Sequence, residues 1–462
     1  MSFVGRSDAE RKIMLQKIGA PDAEALWEAI PPEFRVRGPL PVDPPLAEYE
    51  IARRFGRWAE ENADAQHYAC FLGAGIYDHF IPAAVRSLLS RSEFATAYTP
   101  YQPEVSQGTL QTIFEYQSMI CELTGMEVAN ASMYDGATAC AEAAHLAVGA
   151  TGRRVLLVSS GVHPHYSEVI RTYASAGSFE VREVPLERGA TAMAALQRAL
   201  SPEVAAFLWA QPNFEGVVED GAALTKAAQA AGGYSIASAD PVALAVLKPP
   251  GEDGADIVVG EGQPLGVPMG YGGPLVGFFS IRKKDVRRLP GRLVGVTADL
   301  EGRRGYVLTL QTREQHIRRE RATSNICTNQ GLMALANTIH MALLGSQGLR
   351  EAALQSMEKA HYLASRAAQV PGVTLANGET PYFREFVLRL PGPAADFLKS
   401  AEKRRILAGV PLERFDRTRT KDLLVAATEK RTRDEMDRYI EALTDWARAC
   451  SRATVKEAAW QS

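Results

Sequence analysis

The chain has 462 residues, of which 46% are hydrophobic and 23% charged, and its formal net charge is −3 at pH 7. This length and composition predict a globular protein of two or three domains with a sizeable core. The small negative charge provides no overall basic field, which argues against nucleic acid as a partner. No stretch approaches eighteen apolar residues and the N-terminus lacks the apolar segment of a signal peptide, so we expect a cytoplasmic protein without a membrane span.

Residues 1–65 are predicted to form an N-terminal helical arm and linker. Ser7 and Glu10 have the spacing of a capping box that opens a helix over 11–18, and a second helical segment is expected over 25–30. A proline-rich linker follows. Such an arm can bury little surface alone, so we expect it to pack on the large domain of its own chain or on a second subunit.

Residues 66–320 are predicted to form a large α/β domain. Short apolar, β-rich runs occur at 155–158, 179–184, 205–209, 233–239, 257–259 and 275–279, and alanine-rich helical segments at 139–148, 192–200 and 222–231. This alternation predicts a mostly parallel sheet with helices on both faces. Ligands of such sheets bind at the carboxyl ends of the strands.

Residues 321–462 are predicted to form a small C-terminal α+β domain. We expect a long helix over 330–368, strands at 383–390 and 423–427, and helices at 395–401 and 433–449. At the junction of the two domains, residues 318–325 have the pattern of a capped helix start.

Asp240 directly follows the predicted strand 233–239 and precedes Pro241. An aspartate there can cap the following turn through its side chain. It can also favour a protonated pyridine nitrogen if a cofactor is present. Both interpretations remain open at this point.

Two further positions fit a cofactor pocket. Thr138 lies in a Gly-Ala-Thr segment at a helix start, which suits a phosphate but also ordinary capping. His163 follows the strand 155–158 and could stack on a cofactor ring or be a structural histidine. His163 and His165 are not accompanied by cysteines or acids at a ligand spacing, so no metal site is predicted. The five cysteines lack any C-x-x-C spacing, which favours a reducing compartment.

The loop 98–108 carries Tyr98, Tyr101 and Gln102 between prolines that stiffen it. A rigid polar loop of this kind is typical of a contact surface. A second candidate surface is the basic region 281–321, with twelve Lys or Arg against five acids. It is either a solvated face or a docking surface for an acidic partner.

Several long motifs together carry a family resemblance. They are residues 71–80 (FLGAGIYDHF), 99–104 (TPYQPE), 131–136 (ASMYDG), 260–263 (GEGQ) and 315–327 (QHIRRERATSNIC). These motifs resemble the alpha chain of the two-chain P-protein family of the glycine cleavage system, over nearly the whole sequence. The resemblance implies a fold-type-I pyridoxal-phosphate-transferase-like large domain, and an assembly with a homologous beta subunit, expected to be α2β2.

The resemblance also implies a division of labour between the two chains. Enzymes with this architecture place a Schiff-base lysine about two dozen residues after the strand-end acid, and here Gln263 stands at that place. A carboxamide cannot form an imine, so we expect pyridoxal phosphate to be bound covalently by the beta subunit. The pair would decarboxylate glycine and transfer the aminomethyl group to the lipoyl group of H-protein, and this chain would be inactive alone.

The same resemblance suggests roles for individual residues. Thr323, with Ser324 and Asn325, is placed to reach the cofactor phosphate in the partner's site, and Tyr98, Tyr101 and Gln102 to line the partner's substrate pocket. The remnants of a degenerate local site would be Thr138, His163, Asp240 and Gln263.

Two other functions compete with this one. The chain could be a purely structural subunit that stabilises beta and touches no ligand. It could also be a self-sufficient pyridoxal-phosphate enzyme that uses another lysine, but Lys248 lies only eight residues after Asp240, and Lys283 and Lys284 follow the strand 275–279. None of the three has the expected placement.

Finally, the basic region 281–321 could receive an acidic carrier such as H-protein.

Overall fold

The computed structural model of the chain describes residues 5–36, 38–95, 98–177 and 179–461. Contacts between residues divide the chain into two units, Met1–Asn62 and Ala63–Ser462. The first unit is helical, and the second contains every described strand.

The first unit has two helices, α1 (Asp8–Ile18) and α2 (Glu48–Glu60). Ser7 N donates to Glu10 Oε2 at 2.8 Å and Glu10 N donates to Ser7 Oγ at 3.3 Å, so the predicted capping box is confirmed. The helix predicted over 25–30 is wrong, because only a 3₁₀ turn forms there, at Glu24–Trp27. Pro31 and Pro32 follow directly, and a proline disfavours helical backbone in the residue before it and donates no hydrogen bond.

The second unit alternates strands and helices along the chain. Its described strands are β1 (Ala69–Cys70), β2 (Val128–Ala129), β3 (Val155–Ser159), β4 (Glu180–Val184), β5 (Leu186–Glu187), β6 (Ala190–Thr191), β7 (Val204–Gln211), β8 (Tyr234–Ala239), β9 (Ile257–Glu261), β10 (Gly277–Ile281), β11 (Leu293–Ala298), β12 (Arg304–Thr309), β13 (Thr374–Leu375), β14 (Glu385–Arg389), β15 (Ile406–Leu407), β16 (Val410–Pro411) and β17 (Asp422–Ala426). Its described helices are α3 (Ala83–Leu89), α4 (Ser92–Ala95), α5 (Gln107–Thr124), α6 (Gly136–Thr151), α7 (Pro164–Ala174), α8 (Met193–Ala199), α9 (Gly221–Ala230), α10 (Gln315–Arg318), α11 (Gly331–Ala367), α12 (Ala394–Glu402) and α13 (Arg433–Gln461).

A central sheet with the strand order β2-β10-β9-β8-β7-β3-β4 organises the unit. The strands from β9 to β4 are parallel to their neighbours, and β10 is antiparallel to both β9 and β2. Every residue of β3, β7 and β9 is buried, as expected for strands covered on both faces. The predicted α/β class with a mostly parallel sheet is confirmed.

Helices pack on both faces of this sheet. Leu156 and Val158 face a core built with the alanine-rich helix α6. Leu157, on the opposite face, belongs to a core that includes residues of α5, α9 and α11. The small side chains of α6 are almost all buried, which allows close approach of that helix to the strands. The period-two alternation along β3 therefore fixes which residues meet which layer.

The C-terminal part has a second, antiparallel sheet with the order β13-β14-β17-β16. Residues of α11, α12 and α13, among them Phe397 and Tyr439, form its core. The predicted helices and strands of this part are present, although α11 is broken at Gly345 (φ 59°, ψ −175°).

The helix start expected at 318–325 is wrong. Only α10 and a 3₁₀ turn at Arg319–Arg321 form, and residues 322–330 have no regular structure. Ser324 Oγ accepts a hydrogen bond from Ile326 N at 3.1 Å. Such local side-chain bonds offer the backbone an alternative to a helix.

Candidate functional site

A small cavity lies where the carboxyl ends of β7, β8 and β9 meet a loop that follows β1. Its volume is about 70 Å³. It is lined by Gly75, Tyr77, His163, Tyr166, Ala210, Pro212, Asn213, Phe214, Ser238, Ala239, Asp240, Pro241, Glu261, Pro264 and Glu385. Two of the predicted cofactor-site residues, His163 and Asp240, therefore meet here. Gln263 lies beside the cavity, where its N donates to Glu261 Oε1 at 3.0 Å, and Thr138 lies in the first turn of α6, whose Gly136 N also donates to Glu261.

Asp240 uses both of its carboxylate oxygens within the chain. Oδ1 accepts hydrogen bonds from Val242 N at 2.9 Å and Ala243 N at 3.3 Å, so the side chain caps the turn after β8. Oδ2 forms an ion pair with Arg384, a residue that is only 1% exposed. Asp240 would have to give up a buried counter-ion before it could hold a pyridine nitrogen.

Arg384 connects Asp240 to a buried polar network. Its guanidinium lies 3.7 Å from the ring centroid of Tyr77 and donates to His79 Nε2. His79 Nδ1 in turn donates to Glu429 Oε2 at 2.6 Å, which defines the neutral tautomer. Burial, followed by the charge of Arg384, lowers the pKa of His79, in agreement with that tautomer.

Gln263 is 2% exposed and holds the loop that covers the cavity. Its Nε2 donates to the carbonyl oxygens of Tyr77 at 3.1 Å and Val267 at 2.7 Å, and its Oε1 accepts from Tyr77 N at 3.0 Å. Both N–H bonds of the carboxamide are therefore satisfied by backbone. The side chain is a structural clamp in this chain and contains no nucleophilic amine.

The N-terminus of α6, where a phosphate would be expected near Thr138, is occupied by two carboxylates of the chain itself. Asp135 Oδ1 accepts from Thr138 N at 2.7 Å, and Glu261 Oε2 accepts from Gly136 N at 3.0 Å. Burial raises the pKa of Glu261 to about 7. A phosphate at this helix end would meet two acids and find these backbone donors already used.

His163 is enclosed by its own neighbours. Its Nε2 lies 2.9 Å from the carbonyl oxygen of Ala74, its Nδ1 accepts from His165 N at 3.1 Å, and its ring stacks on Tyr166 with 4.8 Å between centroids. Burial lowers the pKa of His163 to about 4, so the imidazole is neutral near pH 7. Both ring nitrogens therefore have partners within the chain.

Glu385 closes the other side of the cavity. Its Oε1 accepts from Ala74 N at 2.7 Å and its Oε2 from Tyr77 hydroxyl at 2.8 Å. Burial raises the pKa of Glu385 to about 7. A Cβ on Gly73 would lie 2.1 Å from Glu385 Oε1, so only glycine allows this close approach.

Sequence reasoning did not select Tyr77, Arg384 or Glu385 as site residues. The signal for the last two is a pair of adjacent opposite charges near the start of the predicted strand 383–390, which is otherwise apolar except for Arg389. Tyr77 lies in one of the motifs that carry the family resemblance, without an assigned role.

These observations decide whether pyridoxal phosphate fits the cavity of this chain. Pockets for cofactor-sized ligands are typically about 300–1,000 Å³, against about 70 Å³ here. The ring-nitrogen acid is paired with Arg384, the phosphate position is filled by Asp135 and Glu261, and no lysine lines the cavity. The residues present do not fit the cofactor.

The residues expected to reach a partner's site lie elsewhere, and none of them lines the cavity. Tyr98 and Tyr101 are 87% and 50% exposed, and Gln102 is exposed beside them. Thr323 and Asn325 are also exposed, and Ser324 is half-buried. Both segments approach the turn at Pro290–Arg292: Arg292 Nη2 donates to Tyr101 hydroxyl at 3.1 Å, and a Cβ on Gly291 would lie 3.7 Å from Ile326.

Two further features bear on the class of protein. Within the described ranges, no group of three or more His, Cys, Asp or Glu side chains could hold a metal ion. Among the helices of those same ranges, none has both the length and the apolar character needed to span a bilayer.

Comparisons with known proteins place the chain in a family. The model of the family described as glycine cleavage system P-protein matches residues 1–443. The chain is 49% identical over 444 residues to the probable glycine dehydrogenase (decarboxylating) subunit 1 of Chlorobaculum tepidum, covering 96% of this chain and 99% of that protein. It is 47% identical over 443 residues to the protein of the same name from Desulfitobacterium hafniense, with the same coverage.

Comparisons with solved structures support the same family and fold. The chain superimposes with a TM-score of 0.88 and 45% identity on a crystal structure of glycine decarboxylase (P-protein) of the glycine cleavage system in inhibitor-bound form, covering 96% of this chain and 100% of that one. A sphingosine-1-phosphate lyase of Burkholderia pseudomallei shares the fold at 13% identity and a TM-score of 0.64. The predicted pyridoxal-phosphate-transferase-like architecture is confirmed, and the chain belongs to the glycine cleavage system P-protein family.

Proposed function

We propose that this chain is the alpha subunit of a two-chain glycine dehydrogenase (decarboxylating) and that it carries no cofactor of its own. The observation that supports this most directly is the clamped carboxamide of Gln263, at the place where the family resemblance puts the Schiff-base lysine. The occupied phosphate position and the small cavity support it independently. Pyridoxal phosphate is then bound covalently by the beta subunit.

In this proposal the two chains complete one site between them. Pyridoxal phosphate on the beta subunit supplies the electron sink that lets CO₂ leave glycine. Tyr98, Tyr101 and Gln102 of this chain line the partner's substrate pocket and exclude water from it. Thr323 donates its hydroxyl toward the cofactor phosphate, and Ser324 shapes the segment through its bond to Ile326 N. The exposure of both tyrosines and of Thr323 leaves them available to a second chain.

The first unit, Met1–Asn62, is expected to pack on another surface, either the large domain of its own chain or a second subunit. No described residue of this unit is buried, and it exposes many large apolar side chains, among them Trp27, Phe34, Phe55 and Trp58. Large exposed apolar surfaces mark interaction sites. The proposed assembly is α2β2, the aminomethyl group passes to the lipoyl group of H-protein, and the complex works in the cytoplasm.

A purely structural subunit is the second candidate. The buried Asp240–Arg384 pair and the clamped loop over the cavity favour it, because they describe a chain adapted to stability with no ligand of its own. In this alternative, Tyr101 and Thr323 contact no reactant, and changing them leaves turnover intact once the subunits assemble.

Exchange of label between bicarbonate and the carboxyl group of glycine tests the proposed function. Each chain alone and the co-expressed pair are assayed with a lipoylated carrier present. We expect exchange from the pair only. Full exchange from this chain alone would overturn the proposal.

A further inference from the structure

A turn at Pro290–Arg292 holds one arginine rigidly beneath the loop that carries Tyr101. Gly291 has a φ of 70°, which favours glycine, and Asn130 Nδ2 donates to the Pro290 carbonyl at 3.0 Å. Ala131 N donates to the carbonyl of Arg292 at 2.9 Å. The backbone of the turn is therefore held by two hydrogen bonds from one neighbouring segment, one to Pro290 and one to Arg292.

Arg292 is buried but has no counter-ion among the residues that the structure describes. Three described arginines are buried, and two of them have carboxylate partners: Arg384 pairs with Asp240, and Arg431 with Asp78. Arg292, which is 3% exposed, has no carboxylate within 4 Å among the described residues. A buried, unpaired charge is costly, so the fold of this chain alone leaves Arg292 incomplete.

The free edge of Arg292 has a defined geometry. Nε has no hydrogen-bond acceptor, as in Arg384 and Arg431, and Nη2 donates one of its two N–H bonds to Tyr101 hydroxyl at 3.1 Å, with the guanidinium 5.4 Å from the centroid of that ring. In a guanidinium, Nε–H and one Nη2–H point in parallel and match the two oxygens of a carboxylate. Because Tyr101 accepts from Arg292, its own hydroxyl proton remains available to a ligand.

Other buried side-chain atoms, close to Tyr101 in the sequence or beside the turn, also have no hydrogen-bond partner. Thr99, two residues before Tyr101, has a buried hydroxyl without a partner. Arg313 donates through Nη1 to the carbonyl of Leu289, but its Nε and Nη2 have no acceptors, although the charge of the neighbouring Glu314 acts on it. Four of the ten unpartnered buried side-chain atoms of the described residues therefore belong to Thr99, Arg292 and Arg313.

We infer that Arg292, with Tyr101, binds the carboxylate of glycine in the active site completed by the partner subunit. This inference rests on the proposed function and assigns a substrate-binding residue to this chain. Two other ligands would also present an oxyanion to Arg292: an acidic side chain of the partner, and the phosphate of the cofactor. The planar fork at Nε and Nη2 favours a carboxylate, and the place of Arg292 next to Tyr101 favours the substrate.

The test uses the assembled complex with Arg292→Met and Arg292→Lys. A charge-assisted hydrogen bond accounts for about 10- to 150-fold in affinity, so we expect KM for glycine to rise by about that factor in Arg292→Met. We expect kcat to fall much less, because the carboxylate leaves as neutral CO₂. Arg292→Lys keeps the charge without the fork and should recover only part of the loss.

Methylamine, which lacks the carboxylate, separates the possible outcomes. Its inhibition constant should be the same in wild type and Arg292→Met. An equal loss of glycine and methylamine binding, weaker assembly, or weaker binding of pyridoxal phosphate would overturn the assignment, as would an unchanged KM. Arg182→Met, an exposed arginine on β4 that pairs with Glu180, is the matched control. Exchange by the wild-type complex is measured in parallel, and its absence would contradict the proposed function itself.

Discussion

The cavity at the carboxyl ends of the central strands and the face around Tyr101 are built in opposite ways. In the cavity, Asp240, Gln263 and His163 all have partners within the chain. At the face, Nε of Arg292 lacks an acceptor, the guanidinium has no carboxylate partner among the described residues, and Tyr101 is half exposed. Nε is unpartnered in Arg384 as well as in Arg292, so the difference between the regions is the carboxylate that neutralises Arg384 and has no counterpart at Arg292. A buried charge without such a partner is costly in the chain alone. This contrast agrees with the proposed function, in which the first region holds no cofactor and the second supplies groups to a partner.

The largest expected effect comes from a substitution in the cavity, where it removes the counter-ion of a buried arginine. Asp240→Ala leaves Arg384 buried without its counter-ion, and removal of one partner of a buried pair costs about 3–5 kcal/mol. We expect the free energy of unfolding of the isolated chain, measured by urea denaturation, to fall by about that amount. Exchange activity of the assembled complex should remain near wild type. A large loss of activity with unchanged stability would show that Asp240 has a chemical role.

The next largest effect is a pH dependence of the free energy of unfolding that comes from the protonation of Glu385. Burial raises its pKa from 4.5 to about 7, so the folded chain holds a proton that the unfolded chain releases. The stability from this group is complete below pH 4.5 and is lost as the pH rises through 7. Glu385→Gln mimics the protonated acid, so the variant should lie within about 1 kcal/mol of wild type near pH 5 and exceed it at pH 8 by up to about 3 kcal/mol. Denaturation at both pH values measures the difference, in which other titrating groups cancel. A difference independent of pH would contradict the assigned pKa.

Changes at the unsatisfied face should affect turnover and leave stability intact. Tyr101→Phe and Thr323→Val each remove one hydroxyl, and a hydrogen bond to a charged group is worth about 1.5–3 kcal/mol. We expect exchange by the assembled complex to fall by about 10- to 150-fold in each variant. Ser118→Ala on α5, a change on an exposed surface, is the control. Wild-type exchange by both variants in fully assembled complexes would favour the purely structural subunit.

The smallest effect concerns the basic region 281–321. Arg287 is exposed, and Arg288 forms only a 3.5 Å pair with Asp285. If this region receives an acidic carrier, reversing both charges to glutamate should raise KM for the carrier several-fold, since exposed pairs contribute less than about 1 kcal/mol each. The effect should shrink at high ionic strength while KM for glycine is unchanged. Carrier affinity that depends neither on these charges nor on salt would exclude the region.

The sequence predicts much of the fold because its patterns are local. The runs at 155–158 and 205–209 are apolar on both faces, and that is sufficient to identify β3 and β7 as buried parallel strands. The antiparallel direction of β10 depends on a pairing with β9 that no local pattern specifies. The helix predicted over 25–30 does not form, because the effect of the prolines that follow it outweighs the helical composition of that segment.

The candidate site was less predictable, for a physical reason. Asp240 and Thr138 could be selected because strand ends and helix starts are visible in the sequence. Their partners could not: Arg384 lies 144 residues after Asp240, and Glu261 lies 125 residues after Gly136. Whether such a group is free or occupied depends on contacts between distant segments. The same limit hid Arg292, which resembles any other residue of a basic region until its missing counter-ion is seen.

Reductive trapping tests the central claim most directly. The co-expressed complex is loaded with pyridoxal phosphate and treated with borohydride, and the mass of each chain is then measured. The account predicts that the reduced cofactor is attached to the beta subunit alone, with every lysine of this chain unmodified. Stoichiometric attachment to a lysine of this chain, such as Lys248, would contradict it.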